Sequence, residues 1–317
     1  MKRATALRGG AAPTRRGTGR LLVALCTALL VLSACARTVA SENLAAFSQA
    51  ATAISKQSQL SFDESNKLAR DFAIDRKIRT GGPGLSEDQF QGAVSQESMD
   101  AWKEALTGLA DYGTTLASLV DTSNGAQTSD GLVALAGRLQ AGPVRLKIND
   151  QVATGFAALA GALVDARAQR QATHILQAAD PHVQLLLSSM AEAIGANDSE
   201  GLRGTVHRLG TTALSPIQRS YAAAFDRHDE RAQRELIQQY LDGLAARDAQ
   251  LRSLENLRGS LINLAAAHAA AAKGGGATLG ALISQIQYRL DETQRIYEAI
   301  EKNKPDKNKA GKNDADQ

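Results

Sequence analysis

Cysteine is nearly absent from this 317-residue chain: there are two, Cys26 and Cys35, and both fall within the first 35 residues. Their placement excludes a disulfide framework for the rest of the chain and leaves no thiol nucleophile there. Aromatic residues make up only 4% of the sequence, and no stretch alternates β-branched or aromatic side chains with polar ones between turn signals. Sheets draw their cross-strand contacts from such residues, so their scarcity leaves close-packed helices as the source of a core. The expected fold class is all-α, an elongated antiparallel helical bundle with coiled-coil-like long helices. Acidic residues are missing too, but only locally. The first 34 residues hold Lys2, Arg3, Arg8, Arg15, Arg16 and Arg20 and no Asp or Glu. The whole chain carries +3, whereas the residues after 34 have 30 basic against 33 acidic side chains. The basic excess belongs to the leader, so the charge balance does not point to nucleic acid as a partner.

What the leader does contain is ordered in a recognisable way. Arg15, Arg16 and Arg20 precede an apolar run from Leu21 to Val31. That length suits the core of an export signal and is short for a membrane span of about 20 residues. The next residues are Leu32-Ser33-Ala34-Cys35. This tetrad resembles the lipobox of bacterial lipoproteins at every position. The resemblance implies export, diacylglycerol on the Cys35 sulfur, cleavage just before Cys35 and acylation of the new amino group. Several acyl chains, at about 0.8 kcal/mol per buried methylene, would hold such a protein to a membrane effectively permanently. Ala36, rather than Asp, follows the cysteine. By resemblance to Gram-negative sorting, this implies the outer membrane, facing the periplasm. The Arg15-Arg16 pair lacks the apolar residues that follow a twin-arginine signal, so it reads as part of a generic basic region.

The remaining chain divides into a lipidated N-terminus with a short linker at 35–39, a helical bundle at 40–301 and a disordered polar tail at 302–317. Over 40–78, Leu44, Phe47, Ala51, Ile54, Ser58, Ser61, Ser65, Leu68 and Phe72 recur three and four apart and predict one helix with a narrow seam. Thr80-Gly81-Gly82-Pro83-Gly84 stops it. Ser86, with Gln89 three positions on, has the spacing of a capping box and predicts the next helix start, its face running from Phe90 through Leu119. A short helix through Leu139 and another from Val144 to about Ala178 follow, separated by Gly142-Pro143. Asp180-Pro181 and Ser215-Pro216 each read as an N-cap followed by a first-turn proline. From Ser215 a single apolar stripe runs through Ile217, Tyr221, Phe225, Leu236, Tyr240, Leu254 and Leu261 to the glycines at 274–276. At about 1.5 Å per residue, that predicts a rod approaching 85 Å, with Gly243 and Gly259 as places where it could divide. The final helix, with Leu279, Leu282, Ile286, Leu290, Thr293 and Tyr297, needs an apolar partner and is expected to fold back antiparallel across the glycine turn.

Chemical motifs are few. His174, His182, His207, His228 and His268 lack the spacing of a helical zinc site or a di-iron bundle. On a helix, His228-Asp229-Glu230 would point three ways and could not converge on one ion. His268, in a run of alanines, reads as a residue tolerated in a close helix contact, with a pH switch as the rarer reading. No serine sits in a Gly-x-Ser-x-Gly turn, and neither glycine cluster has a phosphate loop's Lys-Ser/Thr ending. No catalytic residue, metal site or cofactor is expected. The function expected from the sequence is that of a membrane-anchored periplasmic lipoprotein, held by the lipid on Cys35 and serving as a scaffold or interaction module for an envelope protein. The alternative is a membrane-active, pore-forming-like helical protein, for which the apolar stretches 152–164 and 261–283 would be the elements that enter lipid.

Overall fold

The computed structural model describes the backbone of residues 18–121 and 172–302, and side chains within 41–118, 174–300 and at 302. The chain divides into two compact units, Met1–Val39 and Ala40–Gln317. The described residues form six α-helices, one short 3-10 helix and no strand, an all-α helical bundle. We label the α-helices α1 (Thr18–Thr80), α2 (Gln96–Asp121), α3 (Ala172–Ile194), α4 (Gly201–Asp226), α5 (Glu230–Ala272) and α6 (Gly276–Lys302). The helices expected through Leu139 and from Val144 to residue 171, the 152–164 stretch, and positions 303–317 of the tail lie outside the described residues.

Helix α5 is the axis of the second unit. Its C-terminal half buries residues on most of its circumference, from Gln250 and Leu251 through Leu254, Leu257, Leu261 and Leu264 to His268 and Ala272. Among the described residues, α6, α3, α1 and α2 are each joined to it by side-chain bonds. Helix α6 runs antiparallel beside it, with Asn263 bonded to Gln285 and Asn256 to Thr293. Helix α3 is joined to it by Gln184, whose amide donates to the Ala265 carbonyl at 2.6 Å. Helix α1 packs through Ser61 against Ser253, and α2 reaches it through Tyr112 against His268. The α1 seam is as the sequence predicts: Phe47, Ala51, Ile54, Ser58, Ser61 and Ser65 are all buried. Small residues along it let the helices approach closely, while Phe62 against Trp102, edge to face at 5.1 Å, fills the wider space towards α2.

Several expected helix boundaries differ, and each has a physical reason. The first helix extends upstream of Ala40 to Thr18, because neither glycine nor proline occurs between Arg20 and Thr80 to break it. Ser86 does not start α2. It precedes the 3-10 turn Glu87–Phe90 without capping it, its hydroxyl being bonded to Asp88 instead. Asn66 of α1 clamps the following segment, accepting from the Val94 amide at 2.7 Å and donating to the Val94 carbonyl at 2.9 Å. Helix α2 therefore begins only after Ser95, whose Oγ accepts from the Ser98 amide.

The two Asx/Ser-Pro pairs do not start helices. Pro181 lies inside α3 and Pro216 inside α4. An interior proline costs about 3 kcal/mol, but in each case apolar residues upstream are held in the core: Ile175, Leu176 and Ala179 before the first, Val206 and Leu214 before the second.

The predicted long rod breaks at a place the sequence does not flag. His228 adopts a left-handed backbone with φ 57°, and Asp229 then caps α5 by accepting from the Ala232 amide at 3.0 Å. The stripe shared by Ile217, Tyr221, Leu236 and Tyr240 is folded onto itself as an α4–α5 hairpin rather than laid along one rod. Helix α5 alone has 43 residues, or about 65 Å. Neither Gly243 nor Gly259 divides it. A Cβ at 243 would fall 2.6 Å from Leu214 Cδ2, so this glycine admits the α4 side chain rather than marking a break.

Candidate functional site

Cys35, the residue expected to be lipidated, and the lipobox residues Leu32, Ser33 and Ala34 before it fall within the helical backbone of α1, outside the described side chains. Of the five histidines, His174 and His228 are exposed, His182 and His207 are half-buried, and His268 is enclosed. The trio His228-Asp229-Glu230 sits at a turn and helix start rather than along a helix. Among the described residues no group of three or more His, Cys, Asp or Glu side chains could hold a metal ion.

The molecule's most unusual polar group surrounds His268. It is 1% exposed, with Nδ1 2.9 Å from Asp180 Oδ1 and Nε2 3.0 Å from the Tyr112 hydroxyl. Phe47 meets its ring edge to face at 5.7 Å. Asp180 is held below the usual carboxylate value of 3.8, first by its hydrogen bond from His268 and further by Gln184 and the charges of His268 and Lys273, with partial burial opposing them. An ionised carboxylate only accepts, so His268 Nδ1 carries a proton and donates. Burial first, and the Asp180 charge second, push the Tyr112 hydroxyl well above 10.0, so it retains its proton. The Tyr112 hydroxyl at His268 Nε2 completes the chain of bonds.

This arrangement is a relay in form, but Tyr112 is fully buried and His268 nearly so. It pins α2, α3 and α5 together. To the close helix contact expected of His268 the structure adds two hydrogen-bond partners. Its partners lie 88 and 156 residues away, and Asp180 carries the local signature of a helix cap, so no short-range signal marks them. Because Asp180 binds its proton less readily folded than unfolded, its contribution to stability is complete above pH 3.8 and is lost as pH falls through its lowered folded-state pKa. Urea denaturation of wild type and Asp180→Asn as a function of pH is expected to show a stability gap that is constant near neutrality and closes below about pH 4. A gap unchanged down to pH 2 would contradict the assignment.

A second buried polar seam joins α1, α5 and α6. The Gln250 amide donates to the Ser61 carbonyl and to Ser65 Oγ, both at 2.8 Å. The Tyr297 hydroxyl lies 2.9 Å from Gln250 Oε1 and 2.7 Å from Ser253 Oγ, and burial raises its pKa above 10.0. One turn further on, Gln57 donates to Thr293 Oγ1 at 2.9 Å. These groups bond one another and fix the register of three helices.

The surface offers a different feature on the α4–α5 hairpin. A cleft of about 330 Å³ is lined by Ile217, Gln218, Tyr221, Leu236, Ile237 and Tyr240. Its chemistry is that of an apolar contact surface with two phenol groups at hand.

No family model, curated protein or solved structure matches this chain. Among the described residues no helix is long and apolar enough to cross a membrane. Within the 261–283 stretch, Leu261, Leu264, Ala265, Ala267, Ala272, Leu279 and Ile283 are buried in the bundle core. In this state those side chains contact protein, so insertion into lipid would require taking apart α5, α6 and α3 together.

Proposed function

We propose that this protein is an envelope lipoprotein, tethered by lipid on Cys35, whose helical bundle acts as a periplasmic scaffold or protein-interaction module, most simply at the outer membrane. The observation that carries the reading is the order of the first 35 residues: six basic side chains without an acid, an apolar run of signal-core length, and Leu32-Ser33-Ala34 directly before Cys35. Two features of the bundle support the interaction half. The hydrogen-bonded pair His268 and Tyr112, and Gln250 with Ser61 and Ser65, are buried and join helices of the bundle. Large apolar side chains are exposed at several places on its surface, among them Ile78 and Leu85 and, on the α4–α5 hairpin, Phe225, Ile237 and Leu241.

The modification is directly testable. Cells expressing the chain and fed an alkynyl fatty acid are expected to yield labelled protein whose mass corresponds to a chain beginning at acylated Cys35. Cys35→Ala is expected to abolish the label and leave the leader uncut, because the sulfur that accepts diacylglycerol is gone. Unlabelled native protein, or label retained by Cys35→Ala, would sink the anchor.

A further inference from the structure

We propose that the first turns of α3, Ala172–Asp180, form an acid-released arm, with Pro181 as its hinge and the Asp180–His268 hydrogen bond as its catch. The hinge follows from covalent chemistry. Proline has no amide proton, so the Gln177 carbonyl lacks the donor that residue 181 would supply in an unbroken helix, and the ladder is weakest where the arm joins the rest of α3. Burial changes across that point as well. After Pro181, the side chains of Val183, Leu186, Leu187, Met190 and Ile194 are at most 1% exposed, whereas the arm sets only Ile175, Leu176 and Ala179 into the core.

Two polar bonds complete the hold of the arm on α5. The Gln177 amide donates to the Ala272 carbonyl at 3.3 Å, and Asp180 Oδ1 lies 2.9 Å from His268 Nδ1. The second of these responds to a proton on the carboxylate. Asp180 is 25% exposed, so water reaches it without prior unfolding. His268 and Lys273 face it from α5, the Tyr112 hydroxyl stands beyond the imidazole on α2, and α1 presents the uncharged ring of Phe47. On α3 itself, Gln184 donates to the same Oδ1 at 3.1 Å and also to the Ala265 carbonyl, so it stays bound to α5 beyond the hinge. These neighbours favour the carboxylate, which keeps the catch closed at neutral pH and loosens it as pH falls through the lowered folded-state pKa of Asp180. Protonation then exchanges a charge-assisted bond for a neutral one about half as strong. An opened arm carries Ile175, Leu176 and Ala179 out of the core and uncovers His268.

Hydrogen exchange of the full chain in mild detergent, scored as protection relative to unstructured-peptide rates at each pH, tests the arm. At about pH 7, residues 174–180 are expected to be protected. At about pH 3, or in Asp180→Asn at about pH 7, their protection is expected to fall about tenfold, while 183–194 and 254–264 keep theirs. Asp180→Asn leaves His268 an acceptor without a charge, and so separates this carboxylate from the others that acid protonates. Pro181→Ala restores the missing ladder bond, and its arm is expected to lose less protection in acid than the native one. Protection lost in step across α3 and α5, or an arm unchanged by both acid and Asp180→Asn, overturns the proposal. Equal acid losses in Pro181→Ala and the native chain overturn it too, because the hinge is then not at the proline.

Discussion

Replacing Leu257 with alanine is expected to lower the free energy of unfolding of the full chain by about 2–5 kcal/mol, the range for a leucine deleted from a close-packed core. Leu257 is fully buried midway along the enclosed half of α5. Around this level α5 is held on several sides, by Ser61 of α1 at Ser253, by Thr293 of α6 at Asn256 and by Gln184 of α3 at Ala265. Each neighbour is fixed by its own hydrogen bonds, so the helices cannot easily collapse into the space left behind. That places the loss in the upper part of the range. Gln239→Ala, exposed on the same helix, serves as the control and is expected to change stability by no more than about 0.5 kcal/mol. Urea denaturation curves for the three proteins give the comparison. Equal midpoints for Leu257→Ala and wild type would mean that α5 is not the core helix.

The second large effect is expected at His268. His268→Leu keeps an apolar contact for Phe47 but removes both ring nitrogens, stranding the Tyr112 hydroxyl in a fully buried position. An orphaned buried hydroxyl costs about 1–3 kcal/mol. Asp180 loses its principal partner too, but it is partly exposed and keeps Gln184, so water offsets much of that loss. The group's coupling has a distinctive signature. Adding Tyr112→Phe to His268→Leu removes the stranded hydroxyl, and the double variant is expected to be more stable than the sum of the single effects by about 1–3 kcal/mol. A strictly additive cycle would mean that the two side chains do not form the bond that joins α2 to α5.

Much of the architecture was legible in particular residues. The absence of strand patterns, the three-and-four spacing of Leu44 through Phe72 and the glycines at 274–276 lead to an all-α bundle, a buried small-residue seam on α1 and an α5–α6 pair folded antiparallel. Helix ends were less legible because the local signals compete with packing that is remote in sequence. Asp180 and Ser215 both precede proline, yet both lie within helices whose upstream turns the core holds in place. The actual reversal, at His228, is made by a non-glycine residue in a left-handed conformation, for which composition gives no warning.

By itself, then, the sequence determined the helical class and the register of the apolar seams, because both depend on residues adjacent in the chain or repeating along one helix. Only the tertiary structure decided that His268, Asp180 and Tyr112 form one buried hydrogen-bonded group, and that the stripe from Ile217 to Tyr240 folds into a hairpin with an open cleft. Those outcomes depend on which distant helices share a neighbour. That choice is set by the summed packing of α1, α3 and α6 around α5, and no local window of sequence contains it.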